Sequence, residues 1–448
     1  MGTSVGGLIL LETSVQGSSA SEALEKFKPL AREIFPSKAR HKGRVSLLWN
    51  FIRHVLADAA YDSLSLDTAL QRAFGSTHRF YDTPLPTAGG RIALTASHIE
   101  NDGKLSLFSN YRRLRRPEEE TSYISVIPTK LADEPEVWKV YFKPKYIPGI
   151  GTFQDGGIQA NCPLRTAIRE SMNIWPGARR PDLVISIGTG FEKFSPERGQ
   201  EQSQTLFNSN FVGRGIRTFL SSPAVDGYRG FEDALDNLPP DLKEDVFRLD
   251  CAIDGTLPDL DDTERMEELS DMQCHIPQEL SLALLATSFF FEFDQEPVFL
   301  DGRFHCIGSI MCCKPDPNGI LSILRTEFPC SRFVIRKSED IGPVDKHDGC
   351  HICAYYRKKV SFTVRSLHED FKLAIVSQGV SRKIGGFPTS VAALLVAQQA
   401  YAPFGRSDHH SDLWPLNRRC YCHISLNKRD GDNMFDPYKR KKLKQGRV

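Results

Sequence analysis

The chain has 448 residues, a net charge of +1, 40% hydrophobic and 25% charged residues, and 11 cysteines. This length suits about two or three domains. The composition excludes global disorder, and the balanced charge excludes a general attraction to nucleic acid or an anionic membrane. An odd cysteine count without a basic-flanked apolar leader predicts reduced thiols in a cytoplasmic setting. No stretch is long and apolar enough to span a bilayer.

The chain opens on Gly2-Thr3-Ser4-Val5-Gly6, a G-x-S-x-G pattern followed by the apolar run Leu8–Leu11. This is the spacing of a nucleophile elbow, in which a serine sits on a strained turn between a strand and a helix. Flanking glycines avoid clashes where the backbones cross, and the helix start offers N–H groups to an oxyanion. Only Met1 precedes Gly2, so the strand half of the elbow is expected to be missing.

Leu24, Phe27, Leu30, Ala31 and Ile34 recur at helical spacing before Pro36. Val45, Leu48, Phe51, Ile52 and Val55 make a second stripe, and Leu70, Ala73 and Phe74 a shorter one; all three read as core faces, with His54 a boundary residue. Arg91–Ser97 and Leu105–Ser109 read as buried strands. Arg112, Arg113, Arg115 and Arg116 are followed by Glu118–Glu120 and read as a solvated loop. Asp155-Gly156-Gly157 predicts a tight turn, and Pro163 opens a helix that presents Leu164, Ala167 and Ile168. Pro181–Gly190 reads as a buried strand ending in a glycine turn. Alternation of strand, turn and helix argues for α/β architecture.

Taken together and in this order, Gly2–Gly6, Asp155–Gly157, Asn161 with Pro163, and Ser186–Gly190 resemble the patatin-like phospholipase family in its fungal form. The resemblance implies a three-layer α/β/α hydrolase domain over residues 1–270, incomplete at its N-terminus. It implies Ser4 as nucleophile and Asp155 as the base, with Gly2, Gly6, Gly156 and Gly157 as motif glycines. It further implies a lipid acyl hydrolase of phospholipids or acylglycerols at a membrane or droplet surface, needing no cofactor and no metal. A serine hydroxyl is a weak nucleophile until a base takes its proton, and a partly buried carboxylate can serve. Three departures stand out. Cys162 replaces a second Asn usual at that turn. The family's Gly-rich oxyanion loop has no counterpart, and only Lys139 and Val140 separate Trp138 from Tyr141 where the family carries a longer segment. The chain is accordingly expected to be truncated or degenerate. The alternative reading is a catalytically dead remnant that serves as an interaction module. A third is a Ser-Asp-His triad completed by His275 or His305.

Ser195–Asn210 reads as a surface loop and the acidic stretch Asp254–Asp271 as a boundary. From Leu282 through Phe289–Phe293, Phe304–Ile310, Phe333–Ile335, Val360–Val364 and Phe371–Val376, short alternating segments predict a smaller β-rich domain over residues 276–405, a sandwich. Gly385–Pro388 ends the strands, and Ser390–Gln399 reads as a closing helix. Cys350-His351-Ile352-Cys353 has zinc-like spacing, with Cys312, Cys313, Cys420, Cys422 and His423 as possible partners. No second C-x-x-C supports it, so free thiols are the simpler reading. Residues 406–448, ending in Lys439-Arg440-Lys441-Lys442, read as a basic disordered tail.

Overall fold

A computed structural model describes residues 1–34, 72, 90–100, 104–111, 123–126, 144–178, 180–192, 226–253, 263–314, 317–336, 339–345, 348 and 356–398. These residues form a mixed α/β architecture in two compact units, Met1–His275 and Ile276–Val448. Val45–Val55, Leu70, Ala73 and Phe74, the Arg112–Arg116 cluster, Trp138 to Phe142, Ser195–Asn210 and the basic tail lie outside the described residues.

The first unit is built on β1 (Ala93–His98), all six of whose residues are buried. A run buried on both faces is what a central strand requires. It lies in a five-stranded sheet of order β3-β2-β1-β5-β4, with β2 at Leu105–Ser109, β3 at Tyr123–Val126, β4 at Lys145–Ile147 and β5 at Gly151–Asp155. One edge of β1 pairs antiparallel with β2, from Ala93↔Ser109 to Ser97↔Leu105. The other edge is shared. Gly2 pairs parallel with Leu94, its N–H donating to Ala93 O at 3.0 Å while Thr95 N–H donates to Gly2 O at 3.1 Å. β5 takes the rest, from Ala96↔Asp155 to His98↔Phe153. Gly2, the residue before Thr3-Ser4, is thus held to β1 by a single bridge and belongs to no strand of its own.

Helix α1 (Val5–Ser14) buries Leu8, Leu11 and Glu12. Helix α2 (Ala20–Ile34) starts in a capping box: Ser19 Oγ accepts from Glu22 N–H at 3.3 Å, and Ser19 N–H donates to Glu22 Oε2 at 2.8 Å. Leu30 and Ala31 are buried, whereas Leu24 of the same stripe is 41% exposed. Lys26 ties α2 to α1 through Glu12. Helix α3 (Gly157–Ala160) follows the Asp155 turn. Helix α4 (Leu164–Ile174), entered through Pro163 at its cap rather than its first turn, packs Leu164 and Ile168 against Phe231 and Ala234 of α5 (Gly227–Asp236).

Strand β6 (Val184–Ile187) corrects the sequence reading. It pairs parallel with β8 (Val246–Leu249) in a two-stranded sheet, and Ile187 is 77% exposed. An apolar run records the propensity of a strand and not the neighbours that cover it. A short β7 (Phe191–Glu192) pairs with β9 (Ala252–Ile253), and α6 (Pro240–Lys243) precedes β8. The acidic stretch expected to be a boundary is helical over Thr263–Arg265 and α7 (Met266–Ser270); Glu267 accepts from Lys28 at 2.9 Å and Arg32 at 2.7 Å of α2. The expectation of reduced thiols is corrected at one pair: Cys251 and Cys274 are joined, their Cα atoms 5.3 Å apart, a separation suited to a disulfide, while Cys162, Cys306, Cys312, Cys313 and Cys330 are free. Two isolated cysteines carry no spacing signal that reveals such a pairing.

The second unit has two four-stranded sheets. In one, β12 (Arg303–Cys312) pairs with β10 (Phe289–Phe293), β11 (Val298–Leu300) and β15 (Arg357–Val364). The other runs β14 (Glu339–Pro343), β13 (Arg332–Ile335), β17 (Leu373–Ser377), β18 (Val380–Lys383). Helices α8 (Gln278–Ala286), α9 (Asn318–Glu327) and α10 (Val391–Ala397) complete one core, with Leu282, Leu324 and Leu395 packed among Phe289, Phe333 and Phe362. Its described residues are thus β-rich, with three helices contributing to the core. A short pair, β16 (Asp370–Phe371) with β19 (Thr389–Ser390), leads into α10.

Candidate functional site

Ser4 sits at φ 51°, ψ −130°, directly before α1. This is backbone that a residue with a Cβ adopts only under constraint. Two close approaches supply it. A Cβ on Gly2 would lie 2.7 Å from Gly7 Cα and 2.8 Å from Gly6 O, so only glycine lets the strand stub meet the helix. Thr3, buried between Gly2 and Ser4, shares a hydrogen bond with Thr95 Oγ1 at 2.7 Å and donates to Ala160 O at 3.0 Å. Gly6 differs from the expected pattern: it is exposed, and a Cβ there meets nothing within 4 Å. The close approach falls on Gly2 alone.

Asp155 ends β5 on the same edge of β1 that Gly2 occupies, two residues further along. A Cβ on Gly156 would lie 2.5 Å from Thr95 Oγ1 and 2.6 Å from its carbonyl carbon, which forces glycine after the aspartate. Gly157 N–H donates to Asp155 Oδ1 at 2.7 Å, and Ser97 Oγ donates to Asp155 O at 3.2 Å. The Ser4 hydroxyl lies close enough to the Asp155 carboxyl to favour its ionised form. The residue keeps some exposed surface, but burial of its carboxyl dominates and raises the pKa above the ordinary value; the Ser4 hydroxyl and the Gly157 N–H pull it back down.

The first turn of α1 carries no acidic residue, and no side chain caps it. The leading N–H groups of a helix have no partners within it and carry the positive end of its dipole. A hydroxyl paired with a buried carboxylate, beside uncapped N–H groups, can take up a proton and hold an anion in one place.

The structure thus brings Ser4, Asp155, Gly2, Gly156 and Gly157 together. His275 is exposed at the end of the first unit, and His305 lies on β12 of the second, opposite Val298 and Thr363. The groups acting on Asp155 are Ser4 and Gly157. Sequence reasoning missed Thr3, Thr95 and Ser97; their hydroxyls face partners remote in sequence, and nothing local marks them. Among the described residues no group of three or more His, Cys, Asp or Glu is placed to hold a metal ion. Cys312 is a buried strand residue whose thiol burial pushes up, while Cys350, His351, Cys353, Cys420, Cys422 and His423 lie outside the described residues. No helix among the described residues is long and apolar enough to cross a membrane.

Comparison with known proteins adds one line of support. The chain is similar to the 85/88 kDa calcium-independent phospholipase A2 of Mus musculus, at 27% identity over 235 residues covering 44% of this chain and 28% of that protein. The protein of the same name from Rattus norvegicus matches to the same extent. The similarity is distant, and it is to a lipid hydrolase. The chain spans 28% of the length of these curated relatives. No family model and no solved structure matches it.

Proposed function

We propose that the chain is a carboxylic-ester hydrolase acting on lipid acyl esters, in a patatin-like α/β/α domain over residues 1–270, with Ser4 as nucleophile and Asp155 as its base. The observation that carries this reading is Ser4, held at φ 51° with its hydroxyl beside the Asp155 carboxyl, whose ionised form it favours. As Ser4 Oγ attacks the ester carbonyl, Asp155 takes its proton. The raised pKa makes the carboxylate a stronger base than an exposed one. The negative charge that develops on the carbonyl oxygen faces the N–H groups opening α1. Collapse of the tetrahedral intermediate transfers the proton to the departing alkoxide and leaves Ser4 acylated. Water, deprotonated by Asp155, then attacks the acyl carbon, and as the fatty acid leaves, Ser4 Oγ takes the proton back from Asp155. These steps use only groups of the chain itself. Similarity to a phospholipase supports phospholipids or acylglycerols as substrates, met at a membrane or droplet surface from the aqueous side.

The test is intact-mass labelling of the folded chain with an alkyl fluorophosphonate. One adduct is expected on the parent chain. Ser4→Ala is expected to take none, and Asp155→Asn to label more slowly by roughly a thousandfold. An adduct that survives Ser4→Ala would sink the reading.

A further inference from the structure

The Ser186–Gly190 segment has no part in the steps above, yet its surroundings are unusually specific. Ser186 lies opposite Arg248 across the β6–β8 pair, and Arg248 Nη1 donates to Ser186 Oγ at 2.7 Å. The same guanidinium donates through Nε and Nη2 to Asp250 Oδ2 at 3.0 and 2.8 Å, with its Cζ 5.3 Å from the Phe231 ring centroid. The pair is almost fully enclosed, the side chains being 14% and 4% exposed. Asp250 Oδ1 accepts from Gly190 N–H at 2.7 Å and Cys251 N–H at 3.0 Å.

Both glycines of this segment answer to that carboxylate. A Cβ on Gly188 would fall 1.9 Å from Asp250 Oδ2, and Gly190 takes φ +99° to present its N–H. A buried ion pair is costly to desolvate and seldom gives net stability, so its value lies more readily in fixing geometry. What it fixes is visible on the other side of Ser186. The hydroxyl also meets Cys162 Sγ at 3.9 Å, and Cys162 closes the segment that begins at Asp155. That segment is held at its start by Gly157 N–H on Asp155 Oδ1, and near its middle by Thr3 on Ala160 O. Thr3 is the residue beside Ser4.

We infer that Arg248, Asp250 and Ser186 are positioning residues that hold the far end of Asp155–Cys162 through Cys162, and thereby keep the Asp155 carboxyl on Ser4. This rests on the Ser4–Asp155 reading for its kinetic consequence and on geometry alone for its structural one. Arg248 acts through Ser186 and touches no reacting atom. A displacement of about 1 Å remote from the chemistry can lower a rate by up to roughly a hundredfold.

Ser186→Ala is a mild probe because it leaves Arg248 paired with Asp250. Hydrogen exchange over residues 155–162 is expected to quicken by about tenfold, and fluorophosphonate labelling of Ser4 to slow by a similar factor. Ser186→Thr keeps the hydroxyl and is expected to restore both. Adding Cys162→Ala to Ser186→Ala is expected to change either readout by less than about twofold, since both changes cut the same link. Unchanged exchange over 155–162 in Ser186→Ala, or fully additive effects in the double variant, overturns the inference. A parent chain that takes no label overturns the Ser4–Asp155 reading instead, and the exchange comparison then decides the positioning role by itself.

Discussion

Among the described residues three helices begin at a serine, and they treat it differently. Ser19 and Ser390 behave as helix caps. Ser19 exchanges hydrogen bonds with Glu22, and Ser390, at φ −101° and ψ 159°, accepts from Ala393 N–H at 3.2 Å. Ser4 occupies the same position before α1 but caps nothing; its backbone is turned to φ 51° and its hydroxyl goes to Asp155. A capping serine satisfies the orphan N–H groups of its helix and relaxes into extended backbone. The Ser4 side chain caps none of those groups, although its carbonyl accepts from Gly7 N–H at 2.9 Å, and its backbone accepts strain instead. Departures from local rules of this kind gather where a protein does chemistry.

The contrast is broken most severely at Gly2. A Cβ there would lie within 2.9 Å of three backbone atoms of Gly6 and Gly7, so Gly2→Ala must push α1 away from the sheet and carry Ser4 with it. Labelling of Ser4 is expected to fall by about a hundredfold or more. Gly6→Ala, with open space around it, is expected to stay within about threefold of the parent. Equal losses in the two variants would mean that the crossing of strand and helix is not what sets Ser4.

The pH dependence comes next. Burial raises the Asp155 pKa, so the folded chain holds that proton more tightly than the unfolded chain. The group's contribution to stability is complete below the ordinary carboxylate value of 3.8 and is lost as pH rises through the raised value. Labelling runs in the opposite direction, increasing as Asp155 ionises, with its midpoint above 3.8. Asp155→Asn is expected to flatten the stability profile across that window. A labelling midpoint below 3.8 would contradict the buried carboxylate. Smaller again is the strain at Ser4 itself. Ser4→Gly is expected to exceed Ser4→Ala in unfolding free energy by about 1–2 kcal/mol, since glycine reaches positive φ without a Cβ clash, and neither variant takes label.

Much of this region was legible locally. G-x-S-x-G and Asp-Gly-Gly mark sharp turns because they omit side chains, and those turns are where Ser4 and Asp155 stand. Arg91–Ser97 and Leu105–Ser109 were readable as strands because apolar and small residues run unbroken there, and both are strands in the sheet. The Phe-rich segments after Leu280 were readable by their alternation instead, which the burial of β10 follows. What stayed hidden depends on partners far along the chain. The Thr3–Thr95 hydrogen bond joins residues 92 apart, and the shared edge of β1 needs Gly2 and β5 to arrive independently. The Cys251–Cys274 link and the exposure of Ile187 are likewise properties of what lies opposite, which local pattern does not encode.

The smallest expected effect sharpens the comparison from the side of the ordinary caps. Ser390 is buried, and its hydroxyl accepts the third N–H of α10, a helix whose Val391 and Leu395 belong to the core of the second unit. Ser390→Ala removes one hydrogen bond and leaves that N–H with no side-chain cap, which costs about 1 kcal/mol. Ser390→Asp or Ser390→Asn offers an acceptor again and is expected to recover part of the loss, whereas Ser390→Gly, with φ already in extended backbone, gains nothing from conformational freedom. Urea unfolding of the second unit reads all four. The same Ser→Ala change at Ser4 removes no side-chain cap, because none is present, so what it removes is the hydroxyl beside Asp155 and with it the label. A Ser4→Ala variant whose loss of stability matched that of Ser390→Ala, with labelling retained, would show that the first serine is a cap like the others and that its turned backbone serves the helix rather than the carboxylate.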